Sequence, residues 1–229
     1  GSGRPLRWRT QPGKGRGLVL TIAANLNSGC ACRTLDITRL LRQLEADPSL
    51  AGLAGEIAGT RPYLFSATAV FLSPRHLADI KAVVAAVERV VALPGYRQAA
   101  LDRAPDIARG DPGPRGVFMG FDFHVGSDGP RLIEINTNAG GAILNAILAR
   151  AQQACCAEMA ELLEPTADLA QIDDTFVEMF RAEWRRQRGP GNPDRLAIVD
   201  DAPAGQYLYP EFQLFTQLFA RHGIEAVIA

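Results

Sequence analysis

The chain has 229 residues, 47% apolar and 21% charged, enough to bury a sizeable core; this excludes disordered, collagen-like and small disulfide-stapled classes. Its 24 Lys+Arg stand against 25 Asp+Glu, a formal charge of -1, so no basic field favours nucleic acid or anionic lipid as a partner. No apolar run approaches the roughly 18 to 20 residues that cross a bilayer, and Gly1-Ser2-Gly3 does not open a signal peptide, which reads as a cytoplasmic protein. All the basic residues except Lys14 and Lys81 are Arg, so a site that grips phosphates with lysines has almost none to use. The cysteines Cys30, Cys32, Cys155 and Cys156 match no common zinc spacing and read as reduced thiols.

Taken in order, residues 1–16 carry Gly, Pro and Arg without periodicity and read as a flexible leader. Residues 17–188 form a helix-rich part. Leu18 to Ala24 reads as a strand and Asn25 to Arg33 as a polar loop. Asp36 is placed to cap a helix running to Glu45, with Leu40, Leu41 and Leu44 inward. Leu50 to Ala58 reads as a short helix and Tyr63 to Leu72 as an apolar strand. Ser73-Pro74, an N-cap before an N1 proline, then opens a long helix whose Leu77, Ile80, Val84, Val87 and Val91 recur at steps of three and four. Pro94-Gly95 breaks it, and Tyr96 to Ala104 adds a turn or two.

Further on, Gly140 to Leu163 and Ala167 to Gln187 read as two helices. The basic end of the second, Arg181, Arg185, Arg186 and Arg188, suits the negative end of a helix dipole. Gly189 to Pro193 is a linker. Residues 194–229 then read as strand, helix and strand, a parallel β-α-β unit that stops at its second strand. A parallel pair alone is not a stable domain, so the expectation is a truncated chain, or a sheet completed by a second copy or the remainder of the same polypeptide. The fold class expected is α/β (α+β).

The most informative run is the hairpin at residues 116–138. Two alternating segments flank Ser127-Asp128-Gly129, which suits a three-residue loop with Gly in the left-handed region. Pairing Gly126 with Pro130 sets Phe123 opposite Ile133 and Phe121 opposite Ile135 on an apolar face. Asp122 then lies across from Glu134 on the other face, with Asn136 diagonal and Asn138 next along. Facing carboxylates repel by roughly 0.2 to 1 kcal/mol, an objection that a hard divalent ion such as Mg²⁺ removes. The plainer reading is a solvated face, and a two-residue Asp128-Gly129 loop would turn the two acids to opposite sides.

Asp122 followed by Glu134-x-Asn136 after a hairpin resembles the magnesium-binding element of the ATP-grasp superfamily. The likeness is strongest to its circularly permuted branch, which includes the glutathionylspermidine synthases. It covers roughly residues 115–229 and includes the order of elements, since hairpin, helical stretch and Rossmann-like segment follow one another. Two departures stand out. Gly120 occupies a place where those synthases carry Arg, and Thr137-Asn138-Ala139-Gly140-Gly141 replaces their Ala-Asp-Thr-Pro, which argues for a different substrate.

The resemblance implies an ATP- and magnesium-dependent ligase that joins a small-molecule carboxylate to an amine or thiol through an acyl phosphate. Asp122, Glu134 and Asn136 would hold the metal. His124 shares their face and is a candidate for phosphate contact, as are Arg131 and Arg150 in place of the missing Arg; Asn138 completes the polar set. Gly140 and Gly141 either present helix N–H groups to an anion or permit a tight turn. Asp200 and Asp201 sit at a strand's carboxyl end, the usual edge of a ligand crevice. The rival reading is a non-catalytic nucleotide- or metal-binding or interaction module completed by a partner.

Overall fold

The computed structural model describes residues 22–27, 35–126, 128–152, 169 and 171–229. Besides a helical stretch at 22–27, its described α-helices are α1 (Ile37–Leu44), α2 (Leu53–Thr60), α3 (Pro74–Val91), α4 (Pro94–Leu101), α5 (Ala142–Ala151), α6 (Ile172–Arg188) and α7 (Tyr209–Arg221). The strands are β1 (Gly120–Gly126), β2 (Gly129–Asn136), β3 (Arg195–Ile198) and β4 (Glu225–Ile228). The fold is mixed α/β: β1 and β2 form an antiparallel hairpin, and β3 and β4 a parallel pair with α7 as the crossover. Among the described residues no helix is long and apolar enough to cross a membrane.

Helix starts follow the caps. The Asp36 carboxylate accepts from the Arg39 N–H at 3.0 Å, and the Ser73 hydroxyl accepts from the His76 N–H at 3.1 Å ahead of Pro74. The core gathers Leu40 and Leu44 of α1, Leu53 and Ile57 of α2, Ile143, Leu144 and Ile147 of α5, and Leu214, Phe215, Leu218 and Phe219 of α7. Phe118, just ahead of β1, joins it through ring contacts to Phe176 at 5.4 Å, Phe215 at 5.7 Å and Phe180 at 5.8 Å. The segment leading into the hairpin is thereby pinned to α6 and α7.

Several expectations are corrected. Residues 22–27 are helical, so Ile22 to Ala24 do not continue a strand. Tyr63 to Leu72 forms no strand either. The Asn27 side chain takes both backbone groups of Phe71, donating to its carbonyl at 2.8 Å and accepting from its N–H at 2.7 Å, which satisfies the backbone at that point, and Thr68 makes only an isolated bridge. Leu41 is exposed, and on α3 Leu77 and Val91 are exposed while Ile80, Val84 and Val87 are only half-buried, because among the described elements α3 packs mainly against the two-stranded hairpin and α4.

The helix at Leu50 to Ala58 begins later, at Leu53, behind a 3₁₀ turn at Pro48–Leu50. Helix α5 ends at Ala151, where Gln152 turns extended and bridges to Leu35, so the helix does not run to Leu163. Cys30, Cys32, Cys155 and Cys156 lie outside the described residues. The basic end of α6 is spent locally: Arg185 pairs with Glu178, Arg186 with Glu183, and the Arg188 guanidinium lies 5.9 Å from the Trp184 ring centre.

Candidate functional site

The hairpin closes differently from the expected way and still brings the acids together. The strands close one step tighter at the tip, where Gly126 pairs with Gly129, His124 with Arg131 and Phe123 with Leu132. A β-bulge at Ile133 then restores the register, and Asp122 pairs with Glu134, Phe121 with Ile135 and Gly120 with Asn136. Phe123 therefore faces Leu132 instead of Ile133, while Phe121 faces Ile135 as expected. The tighter closure does not separate the acids, because the bulge absorbs the extra residue.

Partner residues on an antiparallel pair share a face, so Asp122, His124, Arg131, Glu134 and Asn136 all lie on one side of the ribbon. The first four are exposed and Asn136 is half-buried, while Phe121, Phe123, Val125, Leu132 and Ile135 are half-buried in alternation with them. Beyond Asn136 the chain folds back toward β1, and the Ala139 N–H donates to the Phe118 carbonyl at 3.3 Å. A Cβ on Gly120 would press against Ala139 Cβ at 3.1 Å and lie 3.6 Å from Asn136 Cβ. That contact explains why a long side chain does not stand at position 120: the chain after Asn136 folds back across it.

Arg131 and Arg150 each have an ion-pair partner within the protein. Arg131 pairs with Asp128 at 3.0 Å in open solvent. Arg150 lies on the last turn of α5, about 13 Å along the helix axis from Gly141. Its guanidinium bonds Asp173 at 2.6 Å and the Leu169 carbonyl, and it lines an open depression of about 730 Å³ with Arg39 and Arg42, remote from the hairpin's chemistry along the chain.

Gly140 and Gly141 lead into α5, and their surroundings are fixed by a residue the sequence did not single out. Glu211 of α7, 3% exposed, accepts from the N–H groups of Gly141 and, at 3.1 Å, Ile143, so the helix end is capped by the protein's own anion. Burial raises the Glu211 carboxyl above its usual range, opposed by hydrogen bonds from the Gly141, Ile143 and Ala142 N–H groups. A Cβ on Gly140 would collide with Leu208 Cδ1 and come within 3.2 Å of Glu211 Oε2, and Gly141 has φ +96°. Glu211 looks in sequence like any acid in a helix's first turn; its contact partners are about 70 residues away, which no local pattern encodes.

Between these elements lies a crevice of about 430 Å³. One wall is Asn138, Ala139 and Gly140; the other is the carboxyl end of β3 through Asp200 with the turn that leads into α7. Asp200 Oδ1 accepts from the Asp201 N–H at 2.7 Å and from Gln206 Nε2 at 3.1 Å, so Asp200 organises its loop and also lines the crevice. Of the other histidines, His76 gives its backbone N–H to the Ser73 cap while its ring Nδ1 is buried without a hydrogen-bond partner among the described residues, and His222 ends α7 with Nε2 3.4 Å from Asp174.

Among the described residues no three His, Cys, Asp or Glu side chains group to hold a metal. The hairpin offers instead two carboxylates and one amide oxygen, a hard-oxygen donor set that suits Mg²⁺ when phosphate or water completes the shell. No family model, curated protein or solved structure matches the chain.

Proposed function

We propose that the chain carries the metal-binding hairpin of an ATP- and magnesium-dependent ligase of the ATP-grasp type, working in the cytoplasm on a small carboxylate and an amine or thiol. One observation carries the reading: Asp122 and Glu134 are register partners on an exposed face even though the turn is one residue shorter than that register needs, because a bulge is spent to keep them opposed. Bulges cluster beside active sites, and an arrangement that sets like charges face to face invites a counter-ion.

In this reading Asp122 and Glu134 each present a carboxylate to Mg²⁺, and Asn136 supplies a neutral oxygen from the half-buried end of β2. Bound there, the ion would neutralise charge on ATP phosphates during phosphoryl transfer. His124, two residues from Asp122 and so about 7 Å along the strand, presents an imidazole on the same face. The test is magnesium-dependent ADP release, expected to fall at least about a hundredfold in Glu134→Ala. Release at the native rate in that variant would overturn the reading.

A second reading is a metal-binding or interaction module without turnover. It is favoured by the occupation of Arg131, Arg150 and the α5 N-terminus with partners inside the protein. Mn²⁺ binding, followed by electron paramagnetic resonance and lost in Asp122→Asn, together with nucleotide binding but no ADP release, would support that module over the ligase.

A further inference from the structure

The crevice between Asn138–Gly140 and the end of β3 has a composition of its own. Its floor is aromatic and aliphatic, with Phe118, Phe212, Phe215 and Leu208 contributing, and Tyr207 stands half-exposed at its edge. Among the described residues its charged lining is two acids, Asp200 and Glu211, and the nearby Arg61 guanidinium is spent on the Tyr207 and Gln206 carbonyls. Glu211 is committed to the α5 N–H groups. Asp200 Oδ1 is committed to its own loop, whereas Oδ2 bonds no other group among the described residues. At about 430 Å³ the crevice has the size of ordinary small-molecule sites.

We propose that this crevice binds a small primary amine with an apolar body of roughly phenyl size. A carboxylate or phosphate would meet acids with no counter-charge, and the helix end that serves anions elsewhere is already filled by Glu211. An ammonium would meet the Asp200 carboxylate, whose Oδ2 bonds no other group among the described residues, and an aromatic lining, both of which attract a cation, while its hydrocarbon part covers the phenylalanine floor. The wall of the crevice is continuous with the hairpin, since Ala139 touches the Gly120 position beside Asn136. On the ligase reading, the ligand is the amine substrate, seated next to the metal-binding strands.

Phenethylamine titrated into the full chain by calorimetry should bind with a dissociation constant on the order of 1 mM or tighter, and 3-phenylpropanoate at least about tenfold more weakly. Asp200→Asn should weaken the amine about tenfold and abolish the preference between the two probes. Phe212→Ala should weaken phenethylamine more than butylamine. Asp201→Asn, outside the lining, should change nothing, and circular dichroism should show each variant folded. Equal binding of the two probes, unchanged amine affinity in Asp200→Asn, or no saturation below roughly 10 mM overturns the proposal. Glu134→Ala should retain amine binding, so loss of ADP release there with intact amine affinity tests the ligase reading separately.

Discussion

The two ends of this molecule are built on opposite terms. Helices α5 and α7 supply nearly half of the buried residues among those described, with Leu218 and Ala151 wholly enclosed, whereas α3 has 18 residues and none of them buried, and the hairpin it covers has none either. The first region derives its geometry from packing; the second derives it from backbone pairing, a tight turn and one bulge. A face held by pairing alone leaves its outward side chains free of structural duty. That is where the acids are found.

The contrast is sharpest in substitutions. Leu218→Ala should destabilise the fold by about 2 to 5 kcal/mol in urea unfolding, while Val84→Ala on half-buried α3 should cost no more than about 1; equal losses would erase the distinction between the regions. Next in size is the link between them. Glu211→Ala strands the α5 N–H groups and should cost about 1 to 3 kcal/mol.

Because burial raises the Glu211 carboxyl above its ordinary 4.5, the folded state holds that proton more tightly than the unfolded chain. Its contribution is full below pH 4.5 and is lost as pH rises through the folded value. Glu211→Gln should flatten that part of the stability profile; an unaltered slope would remove Glu211 as its source. Gly141→Ala, at φ +96°, should cost about 1 to 2 kcal/mol, seen as a lower Tm.

The smallest expected effect has the opposite sign. Glu134→Gln removes the repulsion across the hairpin and should raise stability by about 0.2 to 1 kcal/mol in chelator-treated buffer, while cancelling any rise in Tm on adding Mg²⁺. A variant less stable than the parent without metal would mean that Asp122 and Glu134 do not oppose one another.

Local signals were legible in the sequence and long-range ones were not. Asp36 and Ser73 announced their helices because a cap is chemistry within three residues, and the β-α-β order from Arg195 to Ile228 followed from short apolar runs around an amphipathic helix. The acid pairing was readable because side-chain alternation has a period of two. The shorter turn and its bulge were hidden, since Ser127-Asp128-Gly129 satisfies more than one loop. Tyr63 to Leu72 misled because β-propensity does not create a partner strand, and Asn27 satisfied Phe71 first. Glu211 and the crevice it borders come from contacts between distant segments, to which periodicity is blind.

The compensation at Ile133 also makes the acid pair tolerant of slippage. A wider three-residue turn without the bulge and the narrow turn with it both leave Asp122 facing Glu134, and only the tip beyond Phe123 shifts by one step. Motion or single-residue length variation at that tip is therefore absorbed before it reaches the carboxylates, so the end of the ribbon can be remodelled while the spacing of its charges is preserved.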